Sequence, residues 1–144
     1  MRHRAISAHE MLLAHPWAAM QITSRLSIGP GMTRYLDATL GRLREGGFSI
    51  EGALDAWNTL DSHLYGFTLQ ELNLPFEVDE APQISAEVLG QLSADTFPYV
   101  AEIIGHVMAS GRHEDFTFGL DLILDGLERL LQKAWDRDPV ARKA

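Results

Sequence analysis

The stretch from Phe116 to Trp135, FTFGLDLILDGLERLLQKAW, limits what this 144-residue chain can fold into more than any other segment. Phe116, Leu120, Ile123, Leu127, Leu130 and Ala134 recur every three or four positions, which is one apolar stripe of a helix. Gly119, Leu122, Gly126 and Arg129 run down a neighbouring side. A glycine inside a helix costs roughly 1 kcal/mol relative to alanine, so a pair of them seven residues apart calls for a reason. Close approach of another backbone supplies one. The stripe then faces the chain's own core, and the glycine side meets a second helix. An ordinary buried terminal helix that merely tolerates both glycines is the alternative.

The rest of the chain reads as helices separated by breakers. Ile6 to Leu13 ends a helix, because His15 precedes Pro16 and is steered away from helical geometry. Pro16 opens a short second segment that runs to Leu26. Gly29-Pro30-Gly31 breaks the chain again, and Met32, Leu36, Leu40 and Leu43 then keep helical spacing. Gly46-Gly47 stops that helix. Ser49 is the expected N-cap of the next, with Glu51 in its first turn, where the helix dipole favours an acid. Ile50 to Leu72 is the second long helix, striped by Ile50, Ala53, Leu54, Trp57, Leu60 or Asp61, Leu64, Phe67 and Glu71 or Leu72, with Gly66 late in it. Leu74 to Pro82 is an acidic loop, Ile84 to Leu92 a short helix, and Pro98 starts another that reaches Met108 or Ala109. No segment shows the strict alternation of a strand. The expected fold is all-α, about seven helices in one domain.

Composition narrows the function. A net charge of −8 repels phosphate backbones, so these residues are poor candidates for direct nucleic-acid contact. The absence of cysteine excludes disulfides and thiolate chemistry. No apolar run approaches the ~18–20 residues of a membrane span, and the basic N-terminus lacks the apolar core of a secretory signal. The default location is therefore the cytoplasm. The six histidines do not form a metal-binding spacing and read as solvated or capping residues. Gly29-Pro30-Gly31 lacks the lysine and hydroxyl of a phosphate loop. Asp121 and Asp125, one helical turn apart, read as a solvent-facing or ion-paired edge. No enzyme constellation emerges, and no metal or cofactor is expected.

A cavity remains. Trp17, Met20, Met32, Leu36, Leu54, Trp57, Phe97 and Met108 lie on apolar sides of separate helices, and such residues line small-molecule pockets as well as ordinary cores. Asn58, Asp61 and His63 stand near the stripe of the central helix and offer the few polar groups a ligand needs.

Two segments resemble the C-terminal domain of TetR-type transcriptional repressors. One is Arg44-Glu45-Gly46-Gly47-Phe48-Ser49 with the long helix after it. The other is Phe116 to Glu128, which looks like that family's last helix. The His-Pro-Trp joint and the Gly-Pro-Gly turn fall in the matching order. The resemblance implies an all-helical domain that binds a small-molecule inducer and forms a homodimer through a four-helix bundle of its two long helices. On it, Gly66, Phe67, Gly119, Leu122, Ile123, Gly126, Leu127 and Leu130 would lie at the dimer seam. Trp17, Met20, Met32, Leu36, Leu54, Trp57, Asp61, Phe97 and Met108 would surround the ligand. Inducer binding would release operator DNA held by an N-terminal helix-turn-helix, which this sequence does not contain; residues 1–14 would be the tail of the connecting helix. Tetracycline-responsive members hold a drug-chelated magnesium through a histidine before the turn. Ala18 to Leu26 contains none, and Gln70 stands where an acid is expected late in the central helix. The resemblance therefore implies an apolar or amphipathic effector, with no tetracycline–magnesium complex. Two other classes stay open: a small helical carrier or enzyme with a buried apolar cavity, needing Asp61, His63 or His106 as acid or base, and a ligand-free dimerisation module.

Overall fold

Most breakers fall at helix ends, although Pro30 and Gly31 of the expected Gly29-Pro30-Gly31 break already belong to the helix that follows. The computed structural model describes residues 1–24, 29–73, 87, 90, 94–110 and 115–137. Among them are six helices, α1 (Arg2–Ala14), α2 (Pro16–Ser24), α3 (Pro30–Glu45), α4 (Ile50–Leu72), α5 (Pro98–Ser110) and α6 (Phe116–Arg137), and no strand. The expected acidic loop lies outside the described residues. So does most of the helix expected at Ile84–Leu92, of which Glu87 and Gly90 are helical.

Local chemistry explains the ends. His15 caps α1 at φ −135° and Pro16 starts α2 without needing an amide partner. Pro30 occupies the first turn of α3, and Arg42 and Arg44 sit in its last turn, where they complement the dipole. That helix closes in a paired motif: the Phe48 amide donates to the Leu43 carbonyl at 3.2 Å and the Gly47 amide to that of Arg44 at 3.0 Å. Gly47 is at φ +100°, a conformation that side chains rarely adopt. Ser49 caps α4 as expected, its Oγ accepting from the Gly52 amide at 3.0 Å.

The chain divides into two compact units, Met1–Leu72 with Phe116–Ala144, and Asn73–Asp115. In the first, α4 is the central element, in contact with α1, α2, α3 and α6. Its buried positions Ala53, Ala56, Leu60, Asp61, Leu64 and Thr68 keep helical spacing. Leu60 and Leu64 join Ala5 and Leu12 of α1, Ala18 and Ala19 of α2, and Phe116 and Leu120 of α6 in one core. Burying each leucine fully contributes about 1.5–3 kcal/mol. Alanines on α2 let that short helix lie close. A smaller cluster of Leu43, Ala53 and Ala56 carries Phe48, Trp57 and Leu127 on its edge. The second unit contributes α5, whose Tyr99, Val100 and Ile103 are exposed.

Candidate functional site

Four helices of the first unit line a half-open cavity of about 260 Å³. Ala8, Met11 and Leu12 wall it from α1, Ile22 from α2, Gly31, Met32 and Tyr35 from α3, and Leu64 and Tyr65 from α4. The α1 set is spaced three and four apart, so one helical face serves the core and the cavity together. The lining is apolar apart from two phenols. Burial and the negative charge of Asp61 push the Tyr65 hydroxyl up to about 12. Burial likewise raises Tyr35, against the opposing effect of Arg4. Both rings stay neutral near pH 7 and keep an O–H for a ligand.

Behind the phenols lies a part-buried ion pair. Arg4 Nη2 donates to Asp61 Oδ1 at 2.8 Å, and Arg4 Nη1 donates to the Tyr35 hydroxyl. The Arg4 guanidinium also lies 5.3 Å from the Tyr35 ring centroid. Asp61 thus holds Arg4, and Arg4 in turn holds Tyr35, which faces the cavity. Arg4 also lines a second, larger cleft of about 620 Å³ with Tyr35, Ala38, Thr39, Arg42, Leu43, Phe48 and neighbouring residues.

The expected ligand set is scattered. Met32 lines the cavity, and Asp61 reaches it only through Arg4 and Tyr35. Leu36 is partly buried without lining it. Trp17 is 69 % exposed and Leu54 47 % exposed. Trp57 packs on the smaller cluster, with its indole Nε1 buried and without a hydrogen-bond partner among the described residues. Phe97 and Met108 belong to the second unit. The Met20 side chain lies outside the described residues. The residues sequence reasoning missed are Ala8, Met11, Leu12, Ile22, Gly31, Tyr35, Leu64 and Tyr65. The α1 periodicity held the signal for three of them.

The residues expected at the seam divide in two. Gly66, Leu122 and Leu130 are exposed, and Gly66 and Gly126 have no neighbour within 4 Å of an added Cβ. Leu122, Gly126 and Leu130 share one face of α6 at four-residue spacing, and Ile50 and Leu54 are exposed on α4. Ile123 and Leu127 pack inward on the core. Phe67 and Gly119 meet an aromatic cluster of the same chain. Phe116 stacks on His9 at 4.1 Å and on His63 at 4.9 Å, and Phe67 packs edge-on against Phe116. A Cβ on Gly119 would stand 2.5 Å from His63 Cε1. The room left by Gly119 is taken by His63 of this chain.

The reading of every histidine as solvated or capping fails at His9, which is buried. The Thr68 hydroxyl gives its proton to the Leu64 carbonyl at 2.6 Å, so Thr68 Oγ1 accepts from His9 Nδ1–H at 2.9 Å. His9 Nε2 then faces Glu71 at 3.4 Å. His63 Nε2–H donates to the Phe116 carbonyl at 3.0 Å. The expected ion-paired edge is present at Asp121, which holds Arg2 in a two-pronged pair at 2.7 and 3.0 Å.

Comparison with protein families matches residues 1–131 to the family described as tetracyclin repressor-like, C-terminal domain. The chain belongs to that family. Comparisons with curated proteins and with solved structures gave no match. The all-helical architecture agrees with membership of this tetracyclin repressor-like family, whose domains generally bind ligands and dimerise in transcriptional regulators. No group of three or more metal-ligating side chains gathers among the described residues, and no described helix is long and apolar enough to cross a membrane.

Proposed function

We propose that this tetracyclin repressor-like domain is the effector-binding and homodimerising part of a transcriptional regulator, of repressor type. The cavity walled by α1, α2, α3 and α4 carries the proposal. It is small, apolar and furnished with two neutral phenols, which suits a compact apolar or amphipathic effector. Helices α1 and α3 both wall it and both hold the Arg4–Tyr35 contact, so a ligand that displaces Tyr35 acts on α1. Movement of α1 is the output of the domain, passed to a DNA-binding head that precedes it. With a net charge of −8, the domain leaves operator contact to that head. The outer faces of α4 and α6 meet their mates across a two-fold axis.

The neutral fluorescent probe N-phenylnaphthylamine tests the cavity. It should bind saturably, and Met32→Trp, which fills the cavity, should weaken it by about tenfold or more while leaving a cooperative melt. Equal binding to both proteins would contradict this reading.

A further inference from the structure

The larger cleft has a composition unlike the rest of this acidic chain. Arg4, Arg42 and Thr39 are its polar side chains with the Tyr35 hydroxyl, and none of its lining residues is acidic. Met1, Ala38, Leu43 and Phe48 supply apolar walls. Arg4 is bound to Asp61 and Tyr35. Arg42, in the last turn of α3, is exposed and has no ion-pair partner among the described residues. Arg4 Nε is buried and has no acceptor among the described residues. A volume of about 620 Å³ lies within the range of small-molecule sites.

We propose that this cleft between the start of α1 and the C-terminal half of α3 binds an amphipathic carboxylate, its acid group on Arg42 beside Arg4 and its apolar body along Leu43 and Phe48. A planar guanidinium matches a carboxylate in two parallel hydrogen bonds, which a solvated lysine does not. One free guanidinium over apolar walls selects a singly charged head on an apolar tail. The site is separate from the effector cavity and does not depend on that reading, although Tyr35 borders both.

Octanoate and its neutral counterpart octanol, titrated into protein methyl-labelled at alanine and methionine, test this. Octanoate should shift the methyls of Ala38 and Met1 saturably. Arg42→Gln should weaken octanoate by about tenfold, the loss of one charge-assisted pair, and leave octanol unchanged. Because Arg42 is exposed, that variant keeps the fold. Equal octanoate affinity in both proteins would overturn the proposal. So would shifts confined to Met11 and Met32, which would place the acid in the effector cavity instead. A cleft response without one from Met11 and Met32 leaves the effector reading to its own probe.

Discussion

At the scale of single residues, His9 carries the sharpest physical conflict. Its Nδ1–H is engaged by Thr68 and its Nε2 faces Glu71, an arrangement complete only for the charged ring. Burial is the largest influence and lowers its pKa below 6.5, against Glu71 and Glu10, with His63 adding to the lowering. Between that lowered value and 6.5 the unfolded chain binds more protons than the folded one. Stability therefore rises with pH across this window and falls as acid is added below 6.5. Urea unfolding in that window should show this slope, and His9→Gln should flatten it. An unchanged slope would mean that another group dominates. His9 was not legible in the sequence, because its burial depends on Thr68 and Phe116, which are distant along the chain. Ser49 was legible, because a cap involves only residues three apart.

At the scale of elements, local signals carried almost everything. Pro16, Pro30, Gly47 and Pro98 each mark an end or start through their own backbone geometry, so these ends followed without tertiary information. Which face meets which neighbour did not follow. Trp17 and Leu54 lie on apolar stripes yet are exposed, whereas Tyr35 and Tyr65 border the cavity. An apolar stripe shows that a face is covered and leaves open whether a core, a cavity or another chain covers it. Gly119 shows the same ambiguity, since close approach was the correct physics but His63 of α4 is the neighbour. His63 is pinned by its stack on Phe116 and its bond to the Phe116 carbonyl. Gly119→Ala should therefore lose about 1–3 kcal/mol by overpacking, more than the roughly 1 kcal/mol that helix propensity returns. In a His63→Ala background the same change should be neutral or stabilising. Equal destabilisation in both backgrounds, measured by chemical denaturation, would remove His63 as the cause.

At the scale of the whole molecule, α4 serves two surfaces at once. Its inner face supplies Leu64 and Tyr65 to the cavity, and its exposed Gly66, with Leu122, Gly126 and Leu130 of α6, belongs to the proposed seam. The proposed seam should bury roughly 1,200–2,000 Å². Gly126 separates the two roles experimentally, because nothing among the described residues lies within 4 Å of an added Cβ. Gly126→Leu should obstruct the partner helix and leave the protomer intact. Native mass spectrometry of the wild type and this variant at about 10 μM reads assembly and occupancy in one spectrum. The account predicts a wild-type mass of twice the chain's 16.0 kDa with a retained small molecule, and a Gly126→Leu monomer that still carries it. A wild type that is monomeric and empty, or a Gly126→Leu protein that remains dimeric, would contradict it.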